Sequence, residues 1–121
     1  MARLLIADDT PAIVDVLRRY LTRHGHEVET VSDGEAALTR LRSTPRPDLL
    51  IADLLMPLMG GKDLVAAMRA DALLHRVPVI LMSGGDIEGE AQEDAYQVYL
   101  SKPFALQAML QEVECLLADG A

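Results

Sequence analysis

PDLLIADLLMPLMGG, residues 47 to 61, runs through four apolar residues, Leu49 to Ala52, and meets an acid at Asp53. An apolar run of that length without polar alternation reads as a strand buried on both faces, which is what a parallel sheet covered by helices on each side requires. Working outward, similar runs lie at Arg3 to Ala7 (RLLIA), Val77 to Met82 and Val98 to Leu100. Val28 to Val31 alternates instead, which suits a strand nearer the edge of the sheet.

Segments with helical spacing separate these runs: Ile13, Leu17 and Leu21; Ala37, Leu38 and Leu41; Leu64 and Met68; Leu106, Leu110, Val113 and Leu117. Punctuation agrees with them. Thr10-Pro11 offers an N-cap before a proline in the first turn, and Gly25 stands where a left-handed helix cap is expected. Ser32 and Glu35 match the spacing of a capping box, and Pro45 and Pro47 end the second helix near Ser43. Strands alternating with helices in 121 residues predict one doubly wound, open parallel α/β sheet over residues 1–121.

Composition narrows the function classes. Eleven basic against nineteen acidic residues give a formal charge of -8, which argues against direct nucleic-acid contact because phosphate binding needs an excess of Lys and Arg. The single cysteine, Cys115, excludes an intrachain disulfide and reads as a buried, inert thiol in an apolar helix. No apolar run approaches the roughly 18 residues of a membrane span and no leader-like segment opens the chain, so a cytoplasmic protein without a membrane partner is expected.

Ligands of such sheets bind at the carboxyl ends of the strands. Asp8 and Asp9 follow the first run, Asp53 the third, Ser83 the fourth and Lys102 the fifth. Carboxylates held close raise one another's pKa unless a cation neutralises them. An all-oxygen donor set without His or Cys points to Mg²⁺, which takes few protein carboxylates together with phosphate oxygens. His24, His26 and His75 read as surface or helix-end residues. With Mg²⁺, the set makes a phosphoryl-transfer site: Asp53 the nucleophile that becomes an acyl phosphate, Lys102 a compact positive charge, Ser83 a hydroxyl donor.

The chain resembles the response-regulator receiver family of two-component and phosphorelay signalling. The strings that carry the resemblance are LLIADDTP, GHEVETVSDGEAAL, PDLLIADLLMPLMGG, VPVILMSG and YLSKPF. It implies a flavodoxin-like, five-stranded sheet of order 2-1-3-4-5 with five helices. Asp8, Asp9, Asp53 and the backbone carbonyl of Leu55 would hold Mg²⁺, and Asp53 would be the phosphoacceptor contacted by Lys102. A cis Lys102-Pro103 bond is implied. Ser83 and Tyr99 would be a switch pair that repacks the face formed by the fourth helix, fifth strand and fifth helix. The implied partners are a histidine kinase or phosphotransfer protein and a downstream protein target or output domain. The chain would catalyse only its own phosphorylation and dephosphorylation.

Departures from the family pattern are specific. Ala95-Tyr96-Gln97 stands where a Gly-Ala pair is usual before Tyr99, and Asp86, Glu88, Glu90, Glu93 and Asp94 with three glycines imply a short or mobile fourth helix. Leu55 and Gly85 sit where side chains help set the rate of phosphoryl loss, and neither can orient water, so self-hydrolysis is expected to be slow to moderate. Arg18, Arg19 and Arg23 offer a basic helix face for an acidic partner. Two other readings compete: an aspartate-nucleophile phosphohydrolase, which would need a second Asp where Leu55 stands, and a phosphorylation-independent interaction module, which would not need the intact polar set.

Overall fold

A computed structural model describes residues 2–84 and 97–119. The elements run β1 (Arg3–Ala7), α1 (Pro11–Arg23), β2 (Glu27–Val31), α2 (Gly34–Leu41), β3 (Leu49–Asp53), α3 (Gly61–Arg69), β4 (Val79–Ser83), β5 (Val98–Ser101) and α4 (Leu106–Asp119). All five strands are parallel, in the order β2-β1-β3-β4-β5, so the expected sheet and strand order are present. Among the described residues there are four helices. The fourth helix of the sequence reading, around Asp86 to Asp94, and the Ala95-Tyr96 departure lie outside the described residues. No helix among the described residues is long and apolar enough to cross a membrane.

The missing alternation in the central strands has a direct cause. Leu5, Ala7, Leu50, Ala52, Val79 and Leu81 face α2 and α3, where Ala37, Leu41, Leu64, Val65 and Met68 complete one apolar layer. Their neighbours Leu4, Ile6, Leu49, Ile51, Ile80 and Met82 face α1 and α4, meeting Leu17, Leu21, Met109 and Val113. Both pleat faces are therefore covered, and both must be apolar. Exposed polar residues occur only in the edge strands, Glu27, Glu29 and Thr30 of β2 and Ser101 of β5.

Local expectations needed correction in four places. The N-cap of α2 is Asp33, not Ser32: its carboxylate accepts from the Ala36 N–H at 2.7 Å, and the helix ends at Leu41. Thr10 caps α1 by position but its side chain makes no capping hydrogen bond, while Pro11 does begin the helix and Gly25 takes the left-handed φ of 94°. Cys115 is exposed, because Met109 and Val113 define the inner face of α4 and a residue two positions past Val113 points away from it. His26 stands just past the end of α1, its N–H donating to the Leu21 carbonyl at 3.3 Å, but it is not at the surface: its side chain is 9% exposed. The Lys102-Pro103 bond is cis as expected, and Thr44-Pro45 is cis as well. Gln97, at the end of the unusual loop, pins β4 to β5: its amide oxygen accepts from the Val79 N–H at 2.7 Å and its own N–H donates to the Val79 carbonyl at 3.0 Å.

Candidate metal and phosphoryl site

The ends of β1, β3, β4 and β5 deliver the parts of the site. β1 leaves the sheet at Ala7, and the Asp8 N–H still donates to the Val31 carbonyl of β2 at 3.1 Å, which holds Asp8 down at the rim while Asp9 turns into solvent. Asp53 is the last residue of β3, paired in register with Met82, and Ser83 follows as the last residue of β4. The Lys102 N–H donates to the Ser83 carbonyl at 2.8 Å, so the chain past β5 is fixed beside β4 before the cis bond to Pro103 redirects it.

Asp8, Asp53 and Ser83 are the buried polar residues among those described, and all three lie at this rim. Carboxylate oxygens of Asp8, Asp9 and Asp53 lie within 4.8 Å of one another. The Lys102 ammonium donates to Asp8 Oδ2 at 3.0 Å and stands 3.5 Å from Asp53 Oδ2. Asp8 Oδ1 also accepts from the Thr10 N–H at 2.9 Å, which fixes the carboxylate's orientation. Burial pushes the Asp53 carboxyl above the usual carboxylate range, the Asp8 charge pushes it further, and the Lys102 ammonium opposes both.

One ammonium against three carboxylates leaves a net negative, partly desolvated cluster. Such a donor set fits a hard divalent cation, which accepts oxygen ligands from flexible carboxylates and removes the mutual repulsion. The residues expected from the sequence thus converge: Asp8, Asp9, Asp53, Ser83 and Lys102. Leu55 follows two residues later and is 69% exposed, and Tyr99 is half-buried in β5 with its hydroxyl 3.4 Å from the Ser83 carbonyl. Gly85 lies outside the described residues.

Two features escaped sequence reasoning. A cavity of about 620 Å³ adjoins the site, lined by Ala12, Ile13 and Val16 of α1 and by Pro103, Phe104 and Leu106, with Lys102 at its edge. The half-exposed Val16 breaks the buried stripe of α1 and was its one signal. In contrast, the basic face of α1 is less available than expected, since Arg18 and Arg19 both pair with Asp15 on the same helix, at 2.9 and 3.1 Å.

Comparison with known proteins adds the family. Residues 4–114 match the family described as response regulator receiver domain. The response regulator MprA of Mycobacterium avium is 36% identical over 118 residues, covering 95% of this chain and 50% of the relative. This chain spans about half the length of the curated relatives it matches. Among solved structures, a response regulator from Chloroflexus aurantiacus superposes with TM-score 0.89 at 32% identity, over 97% of this chain and 98% of that one. The chemotaxis response regulator CheY4 of Vibrio cholerae gives 0.86 at 29% (96% and 98%). TrrA of Thermotoga maritima, solved in complex with Mg²⁺-BeF, gives 0.85 at 28% (96% and 99%).

Proposed function

Because this chain belongs to the response regulator receiver domain family of two-component signalling, we propose that it is a phosphorylation switch whose acceptor is Asp53. The observation that carries the reading is the convergence of buried Asp8 and Asp53 with Asp9 and Lys102 at one rim of the sheet. An Asp53 carboxylate oxygen attacks the phosphorus of a phosphohistidine donor. The O–P bond forms as the donor's N–P bond breaks, and that electron pair returns to the imidazole nitrogen. Lys102 balances charge on the transferring oxygens and Ser83 donates its hydroxyl to one of them; neither moves a proton.

Asp8, Asp9, Asp53 and the Leu55 carbonyl are the residues that would hold Mg²⁺. When bound, the ion neutralises the phosphoryl oxygens and the acidic cluster together. The Mg²⁺-BeF complex of TrrA, a protein of the same family, supports this assignment.

In this reading Ser83 and Tyr99 carry the signal: the hydroxyl turns to the phosphoryl group and the Tyr99 ring follows, repacking the face of β5 and α4. The apolar cavity beside Lys102 receives the histidine kinase or phosphotransfer donor, in place of the Asp15-paired arginines. A downstream protein or output domain reads the altered face. The activity is the chain's own phosphorylation and dephosphorylation, slow to moderate in the second step because exposed Leu55 cannot orient water. The expectation of no direct nucleic-acid contact concerns these 121 residues alone.

Incubation with acetyl phosphate and Mg²⁺, read by intact mass, tests the reading. Wild type gains one phosphoryl mass and Asp53→Asn gains none; equal labelling of both would overturn the acceptor.

A further inference from the structure

The loop between β3 and α3, residues 54–60, leads directly out of Asp53 and carries Leu55, whose carbonyl the proposed function assigns to Mg²⁺. Side-chain packing holds its middle only lightly: Leu55, Pro57 and Leu58 are exposed, and Met56 and Met59 are partly buried. Its turn also runs against residue preference. Leu58 has a φ of 65°, in the left-handed region that a residue with a Cβ disfavours, while the Met59 N–H donates to the Pro57 carbonyl at 2.7 Å. Such a conformation persists only where the surroundings impose it.

The imposing contact comes from α2. Gly34 is the first residue of that helix, so its N–H has no acceptor inside the helix. It donates instead to the Met59 carbonyl, at 3.0 Å. Among the described residues this is the one backbone–backbone hydrogen bond that reaches residues 55–59 from another element. The approach is so close that a Cβ on Gly34 would overlap the Met59 carbonyl and crowd the Met59 Cβ. Gly61 closes the other side: its N–H donates to the Leu54 carbonyl at 2.8 Å, and a Cβ there would come within 2.6 Å of the Asp53 carbonyl. The loop is thus clamped between two helix starts, neither of which leaves room for a Cβ.

We propose that Gly34 is a positioning residue for the metal, acting through the Met59 carbonyl to set the backbone that carries Leu55. The inference rests on the proposed function, which gives the Leu55 carbonyl to Mg²⁺. A Cβ at position 34 pushes Met59 away, frees Leu58 from its imposed turn and so redirects the backbone between Asp53 and Met59. Coupling of this kind is reciprocal: where the Gly34–Met59 bond favours the ion, the ion favours the bond.

Mg²⁺ titration of the ¹⁵N-labelled chain, followed by NMR at the Asp9 and Asp53 amides, tests this. Gly34→Ala should raise the half-saturating Mg²⁺ concentration about tenfold, the usual effect of losing a group that orients a metal ligand. Asp33→Ala, which destabilises the same helix by removing its cap, should leave that concentration nearly unchanged. In the Gly34→Ala background, Leu58→Gly should recover part of the loss, because glycine takes the left-handed turn without being forced into it. Wild type reports independently and decides the matter even if Gly34→Ala does not fold. Amide exchange at Gly34 should slow when Mg²⁺ is bound, while exchange at Arg42, at the far end of α2, stays the same. Unchanged Mg²⁺ affinity in Gly34→Ala, an equal loss in Asp33→Ala, no recovery by Leu58→Gly, or Gly34 exchange indifferent to Mg²⁺ would each overturn the proposal. In those cases a wild type that binds Mg²⁺ and takes up phosphate at Asp53 leaves the proposed function standing; a wild type that binds no Mg²⁺ removes both.

Discussion

Lys102 does two jobs at once. It compensates Asp8 at 3.0 Å and approaches Asp53 at 3.5 Å, so it steadies the acidic cluster and, on the proposed function, also balances the charge of the transferring oxygens. Lys102→Ala should slow acetyl-phosphate labelling by about 10²-fold or more, in line with the loss of one preorganised charge at a reacting centre. Labelling time courses at fixed Mg²⁺ would measure it. His26 supports a different prediction. Burial depresses its pKa below the usual value, Glu114 opposes, and the chain's amino terminus and His24 add to the depression. The unfolded chain therefore binds the proton first as pH falls. The His26 contribution to stability is intact above about pH 6.5 and is lost as pH falls from there through the lower, folded-state pKa. Urea unfolding from pH 7.5 to 5 should show wild type losing stability faster than His26→Asn over that window. Parallel curves would refute it.

Loops are tied to helices here at single atoms, and those ties set what each element tolerates. The loop after Asp53 reaches α2, where the Gly34 N–H donates to the Met59 carbonyl at 3.0 Å. A Cβ on Gly34 would overlap that carbonyl, which is backbone and cannot swing aside. Gly34→Ala should therefore cost about 1–3 kcal/mol, seen as a lower urea midpoint, despite alanine's better helix propensity. Asp33→Ala, which removes the cap on Ala36, should cost about 1 kcal/mol by the same measurement. Neither residue stood out in the sequence. Ser32 and Glu35 fitted a capping pattern equally well, and only the path of the chain out of β2 decides which side chain reaches the amides. Strands were easier to read, because residues such as Leu49 to Ala52 are buried on both faces and so carry no polar interruption. The face of Cys115 was misread because apolar residues surround α4 on more than its buried side, with Leu110, Leu116 and Leu117 only partly covered.

At the scale of the molecule, the sheet brings together residues separated by as many as 94 positions, Asp8 and Lys102, at the rim where, among the described residues, the buried polar residues Asp8, Asp53 and Ser83 lie. That concentration of buried polarity at one rim was legible in advance, since each strand run ended on an acid, a hydroxyl or an ammonium. Their distances, the split between buried Asp8 and exposed Asp9, and the cavity beside Lys102 were not, because these depend on how helices pack over the strands. If the acidic cluster works only with a divalent cation, chelation by EDTA should abolish both acetyl-phosphate labelling and any spectral response to beryllofluoride. Added Mg²⁺ should restore both. The most direct measurement is to trap the phosphorylated chain with borohydride, which reduces an acyl phosphate to the alcohol, and to map the modified peptide by mass spectrometry. Reduction at Asp53 alone is predicted; modification at Asp8 or Asp9, or none in a chain that has taken up phosphate, would contradict the account.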